Sequence, residues 1–294
     1  MTPATPDTPA IPDTPATPAP PELAERAGRP PGRRSGIPPA LWVPAAAGLA
    51  FLVLPLAALL VRAPWGQLPD QLRSQTVLAA LRLSVVSASL ATAGCLFAGV
   101  PLAWVLARSA VPGVRVLRAL VTVPLVLPPV VGGVALLLAL GRRGVLGRYL
   151  DSWFGVTLPF SPAAVVLAEA FVAMPFLVIA VEGALRGVDR RFEEAAATLG
   201  ASRWTVFRRV TLPLVAPGVV AGAVLCWTRA LGEFGATITF AGNYPGRTQT
   251  VPIAVYLALE TDPAGAQTLS LVLIAVSVAV LVGLRGRWVG GLAP

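Results

Sequence analysis

Six times between residues 41 and 284 the chain runs apolar for about the thickness of a bilayer's hydrocarbon core, and this repetition restricts the fold more than any other feature. The runs cover residues 41–61, 80–107, 117–140, 162–184, 214–240 and 267–284. Each approaches or exceeds the roughly 20 residues with which a helix crosses about 30 Å of hydrocarbon. Helices are required, because lipid satisfies no backbone N–H or C=O, and no strand of about ten alternating residues recurs that could close a barrel. Composition agrees, with 55% hydrophobic and only 13% charged residues in a chain of 294. The fold class expected is all-α integral membrane, with about six transmembrane helices. Pro101, the Pro128-Pro129 pair and Pro175 fall inside the runs, either as kinks seated against neighbouring helices or as gating points.

Residues 1–40 are different in kind. They are a proline-, threonine- and alanine-rich stretch that cannot bury a core, so a disordered or polyproline-like tail is expected there, with the membrane domain at 41–294. The first apolar run begins about 40 residues in and is long enough to span, which predicts a retained helix rather than a cleaved signal.

All 23 basic residues are arginine, and their placement orients the chain through the positive-inside bias. With the N-terminus inside, the inner segments hold Arg26, Arg29, Arg33 and Arg34, then Arg108, Arg115 and Arg118, then six between Arg186 and Arg209, then Arg285 and Arg287. The outer loops hold Arg62, Arg73, Arg142, Arg143, Arg148 and Arg247, while Arg82 and Arg229 lie within runs. Both termini are therefore expected on the cytoplasmic side. The cluster Arg142, Arg143 and Arg148 runs against the trend without reversing it. A net charge of +9 distributed by membrane sidedness argues against nucleic acid as a partner.

Missing residue types exclude whole chemistries. Without lysine there is no GxxxxGK phosphate loop, so any ATP must be handled by a partner. Without histidine there is no Ser-His-Asp arrangement, and Cys95 and Cys226 are too few for a metal centre or a disulfide framework. No catalytic residue and no cofactor of the chain's own is expected.

The segment EEAAATLGASRWTVFRRVTLPL, residues 193–214, is charged and patterned between two apolar runs. Asp189 can cap a helix whose stripe is Phe192, Ala195, Ala196 and Leu199, and Gly200 can end it in the left-handed conformation. Ser202 can cap a second short helix bearing Trp204, Phe207 and Val210, with Arg203, Arg208 and Arg209 around it and Pro213 ending the unit. Neither helix is long enough to stand alone in water, so each must dock, beneath its own bundle or in a groove of a cytoplasmic partner.

Glu194-Ala195-Ala196, three residues, Gly200, nine residues and Val210-Thr211-Leu212-Pro213 resemble the EAA loop of ABC importer permeases, with Val210 where isoleucine is usual. That resemblance implies a type I importer permease architecture and a cytoplasmic coupling helix within residues 185–213. Glu193, Glu194, Ala195, Ala196, Gly200, Leu212 and Pro213 would then meet a separate ATP-hydrolysing subunit. Residues 229–256 and 123–147 are similar to the fifth-helix and third-helix regions of molybdate permeases. Sulfate permeases share the GEFG segment, so molybdate rather than sulfate or thiosulfate rests on GRTQT and its surroundings. Tungstate is a further candidate. The resemblance implies a homodimer in the plasma membrane, two ATPase subunits carrying ATP and Mg, and an extracytoplasmic binding protein.

Arg229 and Glu233 stand at i, i+4 in the fifth run, where charge is expensive. Either they neutralise each other, or Arg229 donates to a passing tetrahedral dianion while Glu233 keeps the attraction weak. Thr237, Thr239, Asn243, Arg247, Thr248 and Thr250 are further candidate donors towards the outer mouth. Glu169 and Glu182 in the fourth run serve helix–helix bonding or, as the alternative, a proton relay in a proton-coupled anion transporter. That alternative leaves the spacing of the 193–213 loop unexplained.

Overall fold

A computed structural model describes residues 39–109 and 112–289, so residues 1–38 of the expected tail lie outside the described residues. Among the described residues the elements are helical throughout. The chain divides into two units, one ending at Leu56 and one beginning at Ala57. The first long helix, α1 (Trp42–Val61), has no buried residue. The second unit contains α2 (Leu68–Leu72), α3 (Gln75–Arg108), α4 (Val114–Val126), α5 (Pro129–Leu140), α6 (Gly147–Phe154) and α7 (Pro162–Gly187). It continues with α8 (Arg190–Thr198), α9 (Arg203–Val206), a π-helical turn (Phe207–Thr211), α10 (Leu212–Leu231), α11 (Gly235–Ala241), α12 (Val251–Thr261) and α13 (Pro263–Val289). Five helices are long and apolar enough to cross a membrane, and six spans result if the bent pair α4 and α5 counts as one.

The core of the second unit is where α3, α7 and α10 meet. Lipid tails are as apolar as the side chains, so close backbone approach supplies the attraction between such helices. Ala88, Ala91, Cys95 and Ala103 of α3 face Ala173, Leu177, Val178 and Val181 of α7, with Cys226 and Ala230 of α10 completing the cluster. On α10 the pair Gly218 and Gly222 forms a small-xxx-small step against α7. A side chain at Gly218 would collide with the Cβ of Ala184, and a Cβ at Gly222 would lie 3.1 Å from that of Ala180.

Three of the expected spans differ from the pattern of apolar residues. The third run is two helices meeting at 117°, because a proline pushes the residue before it out of the helical region. Leu127 and Pro128 accordingly both take extended backbone, each with ψ 133°. The fifth run ends at Leu231, and a break over Gly232–Phe234 starts the separate helix α11. The sixth begins at Pro263, after the additional helix α12.

Pro213 does not end the loop unit as its sequence context suggested. Residues 203–231 form one continuous helical run, with Pro213 in the first turn of α10. A proline there lacks only an N–H that the wide turn before it leaves without a role, so the helix passes through. The loop itself is correspondingly shorter, since α7 persists to Gly187 and the span resumes at Arg203.

Candidate functional site

The loop helix α8 is built by local chemistry. The Asp189 carboxylate accepts the Arg191 N–H at 3.0 Å, capping the helix, and Glu193 adds negative charge to its first turn. At the other end Gly200 has φ +84°, the Ala201 N–H reaches the Ala196 carbonyl at 3.1 Å, and the Gly200 N–H reaches the Ala197 carbonyl at 3.0 Å. These two bonds are a Schellman closure, and the positive φ is why glycine stands there. Ser202 then accepts the Thr205 N–H at 3.2 Å and starts α9.

Phe207, at the start of the π turn, packs edge-on against Trp104 of α3 with ring centroids 5.1 Å apart, so the second segment docks on its own bundle. The stripe of α8 does not. Phe192 is 59% and Leu199 88% exposed, Ala195 is exposed and Ala196 half-buried. An apolar face on a helix too short to stand alone is thus left open, and Glu194, on the far side of the helix from that stripe, makes no ion pair among the described residues. Leu212 and Pro213 are also exposed.

What holds α8 in place is a clamp at the edge of that stripe, through Glu193 in the first turn. Glu193 Oε1 accepts from Arg108 Nη2 at 3.0 Å and from Thr211 Oγ1 at 2.9 Å. One carboxylate oxygen therefore ties the end of α3, the loop helix and the π turn before α10. The pair is shielded, with side chains 12% and 21% exposed, so it is worth more than a surface ion pair, about 1–3 kcal/mol. A second carboxylate oxygen, Glu182 Oε1, joins Arg118 of α4 and Arg186 of α7, each at 2.8 Å. Glu182 thus serves helix–helix bonding. From sequence Arg108 was counted only for membrane sidedness and Thr211 only as part of the loop motif, and neither was given a role in holding the loop helix. Only charge balance could have pointed to Arg108, because its partner lies 85 residues away.

At the end of the bundle away from α8, Arg229 Nη1 meets Glu233 Oε2 at 2.6 Å, so the pair neutralises itself in this structure. Glu233 does more: its other oxygen accepts the Ala236 N–H at 2.8 Å and stitches α11 to the break after α10. Thr237 is buried with its hydroxyl unpartnered, whereas Thr239 donates to the Gly235 carbonyl at 2.8 Å and is committed to its own helix. Thr239 also marks a close approach, since a Cβ on Gly133 of α5 would lie 2.7 Å from its Cβ. In the loop before α12, the Thr248 hydroxyl accepts the Tyr244 N–H at 2.9 Å, Thr250 is buried and unpartnered, and Asn243 and Arg247 are exposed.

Glu169 is buried in α7 and accepts from Ser87 of α3 at 2.8 Å, while its second oxygen has no partner. One turn from Ser87, Ser84 accepts the Val251 N–H at 2.8 Å and fastens α12 to α3. Both serines were missed in the sequence. Their signal is two hydroxyls at i, i+3, on one face of a run that also carries Ser89 and Thr92.

A helical bundle with about six spans, carrying a clamped loop helix whose apolar stripe is left open, defines a multi-pass membrane permease subunit. Residues 99–290 match the family described as binding-protein-dependent transport system inner membrane component, and the chain belongs to that family. It is 50% identical over 251 residues to the molybdenum transport system permease protein ModB of Mycobacterium tuberculosis, covering 85% of this chain and 95% of that protein. The ModB protein of Escherichia coli K12 is 46% identical over 209 residues, covering 71% and 91%. The sulfate transport system permease protein CysT of the same organism is 35% identical over 235 residues, covering 79% and 84%. The fold matches a chain of a bacterial alginate ABC transporter crystallised in complex with an alginate pentasaccharide-bound periplasmic protein, at TM-score 0.70 and 17% identity over 85% of this chain and 94% of that one.

Proposed function

We propose that this chain is the transmembrane subunit of an ATP-driven importer that carries molybdate into the cytoplasm by alternating access, with tungstate as a second substrate. The observation that carries the substrate is the ordering of the relatives: the ModB proteins at 50% and 46% identity stand above the sulfate permease at 35%. On this reading two copies form the pathway, an extracytoplasmic binding protein delivers the anion, and two ATPase subunits hold ATP and Mg. Both termini and α8 face the cytoplasm, as the arginine distribution supports. The helix α8, with Glu194 and the open stripe that holds Ala195 and Ala196, seats in the ATPase. Movement of that helix passes through Glu193 to α3 and α10 together, because one oxygen holds both. The chain itself binds no cofactor and performs no chemistry.

Uptake of labelled molybdate into proteoliposomes tests this, with the chain, its ATPase and its binding protein present, sulfate as competitor, and ATP or a proton gradient supplied separately. ATP-dependent uptake that resists sulfate is expected. Uptake abolished by equimolar sulfate would favour the sulfate or thiosulfate reading, which the relation to the sulfate permease supports. Uptake driven by the proton gradient without the ATPase would overturn the importer reading and direct attention to Glu169.

A further inference from the structure

Arg82 is an anomaly in a membrane-spanning helix. It lies two turns into α3, is exposed, and forms no ion pair among the described residues. The neighbours on its face of the helix are apolar: Leu78 and Val86, at i−4 and i+4, are both exposed. A guanidinium on such a face is costly against lipid, and that cost is relieved where the face meets water, a counter-charge or an anionic ligand.

Three observations show where this face leads. First, a cavity of about 420 Å³ runs along it, walled by Leu78, Leu83 and Val86 of α3, with Gln75 and Arg82 as its polar side chains and Gly246 from the loop before α12 at its rim. That is ample for a tetrahedral oxyanion with part of its water shell. Second, the cavity offers donors: the five N–H groups of the guanidinium, the Gln75 amide, and the Gly246 backbone N–H, which no acceptor engages among the described residues. Third, two turns along the same stripe Ser89 accepts from Trp227 Nε1 of α10 at 3.2 Å. Trp227 precedes Arg229 by two residues on α10, so the stripe that begins at Arg82 runs onto the helix that carries Arg229, about 3 Å along its axis from that arginine's position. Arg229 is already held by Glu233, whereas Arg82 is uncommitted.

We propose that Arg82 and the cavity under Gly246 form an oxyanion-binding site at the end of the pathway opposite α8, where the anion halts before passing Arg229. The site rests on the proposed import of a tetrahedral oxyanion and names the residue that receives it on the outer side. A guanidinium suits this task because its planar fork makes two parallel charge-assisted bonds to two oxygens of one tetrahedral anion. The lipid headgroup phosphate offers the same chemistry, so the lipid composition must be varied in the test.

The experiment uses the whole transporter, with ATPase and binding protein, in vesicles of phosphatidylcholine alone and in vesicles that also contain phosphatidylglycerol. Labelled molybdate is the probe, with labelled sulfate in parallel. In both vesicle types R82Q is expected to lower initial uptake about tenfold or more, while R82K, which keeps the charge but not the fork, lowers it less than R82Q does. R82C supplies a control that does not depend on comparing two folds, since Cys95 and Cys226 are both buried. Its uptake should rise when the thiol is coupled to an aminoethyl methanethiosulfonate, which restores a positive charge, and stay low with the neutral methyl reagent. Free molybdate should slow the coupling. Wild-type uptake by R82Q in phosphatidylcholine would overturn the site, and so would equal recovery of R82C with both reagents. A defect confined to vesicles with phosphatidylglycerol would assign Arg82 to a headgroup and overturn it as well. If the unaltered transporter takes up neither anion, the import reading itself has failed, and the site fails with it.

Discussion

Arg108, the last residue of α3, donates at 3.0 Å to Glu193 in the first turn of α8, and Thr211 shares the same carboxylate oxygen at 2.9 Å. The loop helix is thus fastened to two spans by one atom. A displacement of α8 cannot reach one of those spans without straining the bond to the other.

Breaking that junction should disconnect the two activities rather than unfold the chain. R108Q or E193Q, in the assembled transporter, is expected to lower the ratio of molybdate imported to ATP hydrolysed by about fivefold, with a stability loss of about 1–3 kcal/mol. Uptake and hydrolysis measured on the same vesicles decide it. An unchanged ratio in both variants would remove the clamp from the coupling route.

Gly200 gives a cleaner backbone test. No atom lies within 4 Å of where its Cβ would sit, so only the φ of +84° resists a side chain. Gly200→Ala should cost about 1–2 kcal/mol, and Gly200→Val more, through a reoriented end of α8. Coupling should fall in that order while membrane insertion is retained. Glu194→Lys should lower it too, by reversing an exposed, unpaired charge on the loop helix. Wild-type transport in Gly200→Val and Glu194→Lys, with the ATPase still required, would count against α8 as the coupling helix.

Gly218 and Gly222 belong to a different class of prediction. Gly218→Leu forces a side chain onto Ala184 at a helix crossing, where overpacking costs about 1–3 kcal/mol or more. The expected result is a lower thermal midpoint in detergent and a lower yield of inserted protein. The same substitution at Gly48 of α1, where nothing lies within 4 Å, should be neutral.

The Arg229 and Glu233 pair predicts non-additivity. R229Q strands a carboxylate that is 1% exposed, and losing one partner of a buried pair costs about 3–5 kcal/mol. R229Q/E233Q removes both charges and should be less destabilised than R229Q alone, although the Ala236 N–H then meets an amide oxygen. Thermal midpoints of R229Q, E233Q and the double variant form the cycle with the unaltered chain, and additive losses would mean that the 2.6 Å contact contributes nothing.

The parts of this fold visible in the sequence are those set by short-range rules. The spans could be counted because bilayer thickness fixes their length, and Asp189, Gly200 and Ser202 could be assigned because capping needs only a few neighbouring residues. The 117° bend was different. Pro128 and Pro129 announce an interruption, but its angle depends on α11 lying against α5 closely enough to require Gly133 and Gly235. The helices α2, α6 and α12 are too short for a span-length pattern to expose them. Arg108 could not be matched to Glu193 for want of any local relation between them. Pro213 misled because a helix breaker's effect depends on the turn before it, and that turn is a wide one.

The wide turn at Phe207–Thr211 makes a backbone ring of i to i+5 type, one residue more than the α-helices on either side use per hydrogen-bonded loop. It therefore works as slack between the loop and the span. Deleting one residue inside it lets the helix close up with everything beyond still in phase, so Gly218, Gly222 and Arg229 keep their bearings. The same deletion a turn later, past Pro213, swings each of them about 100° around the axis and off its partner.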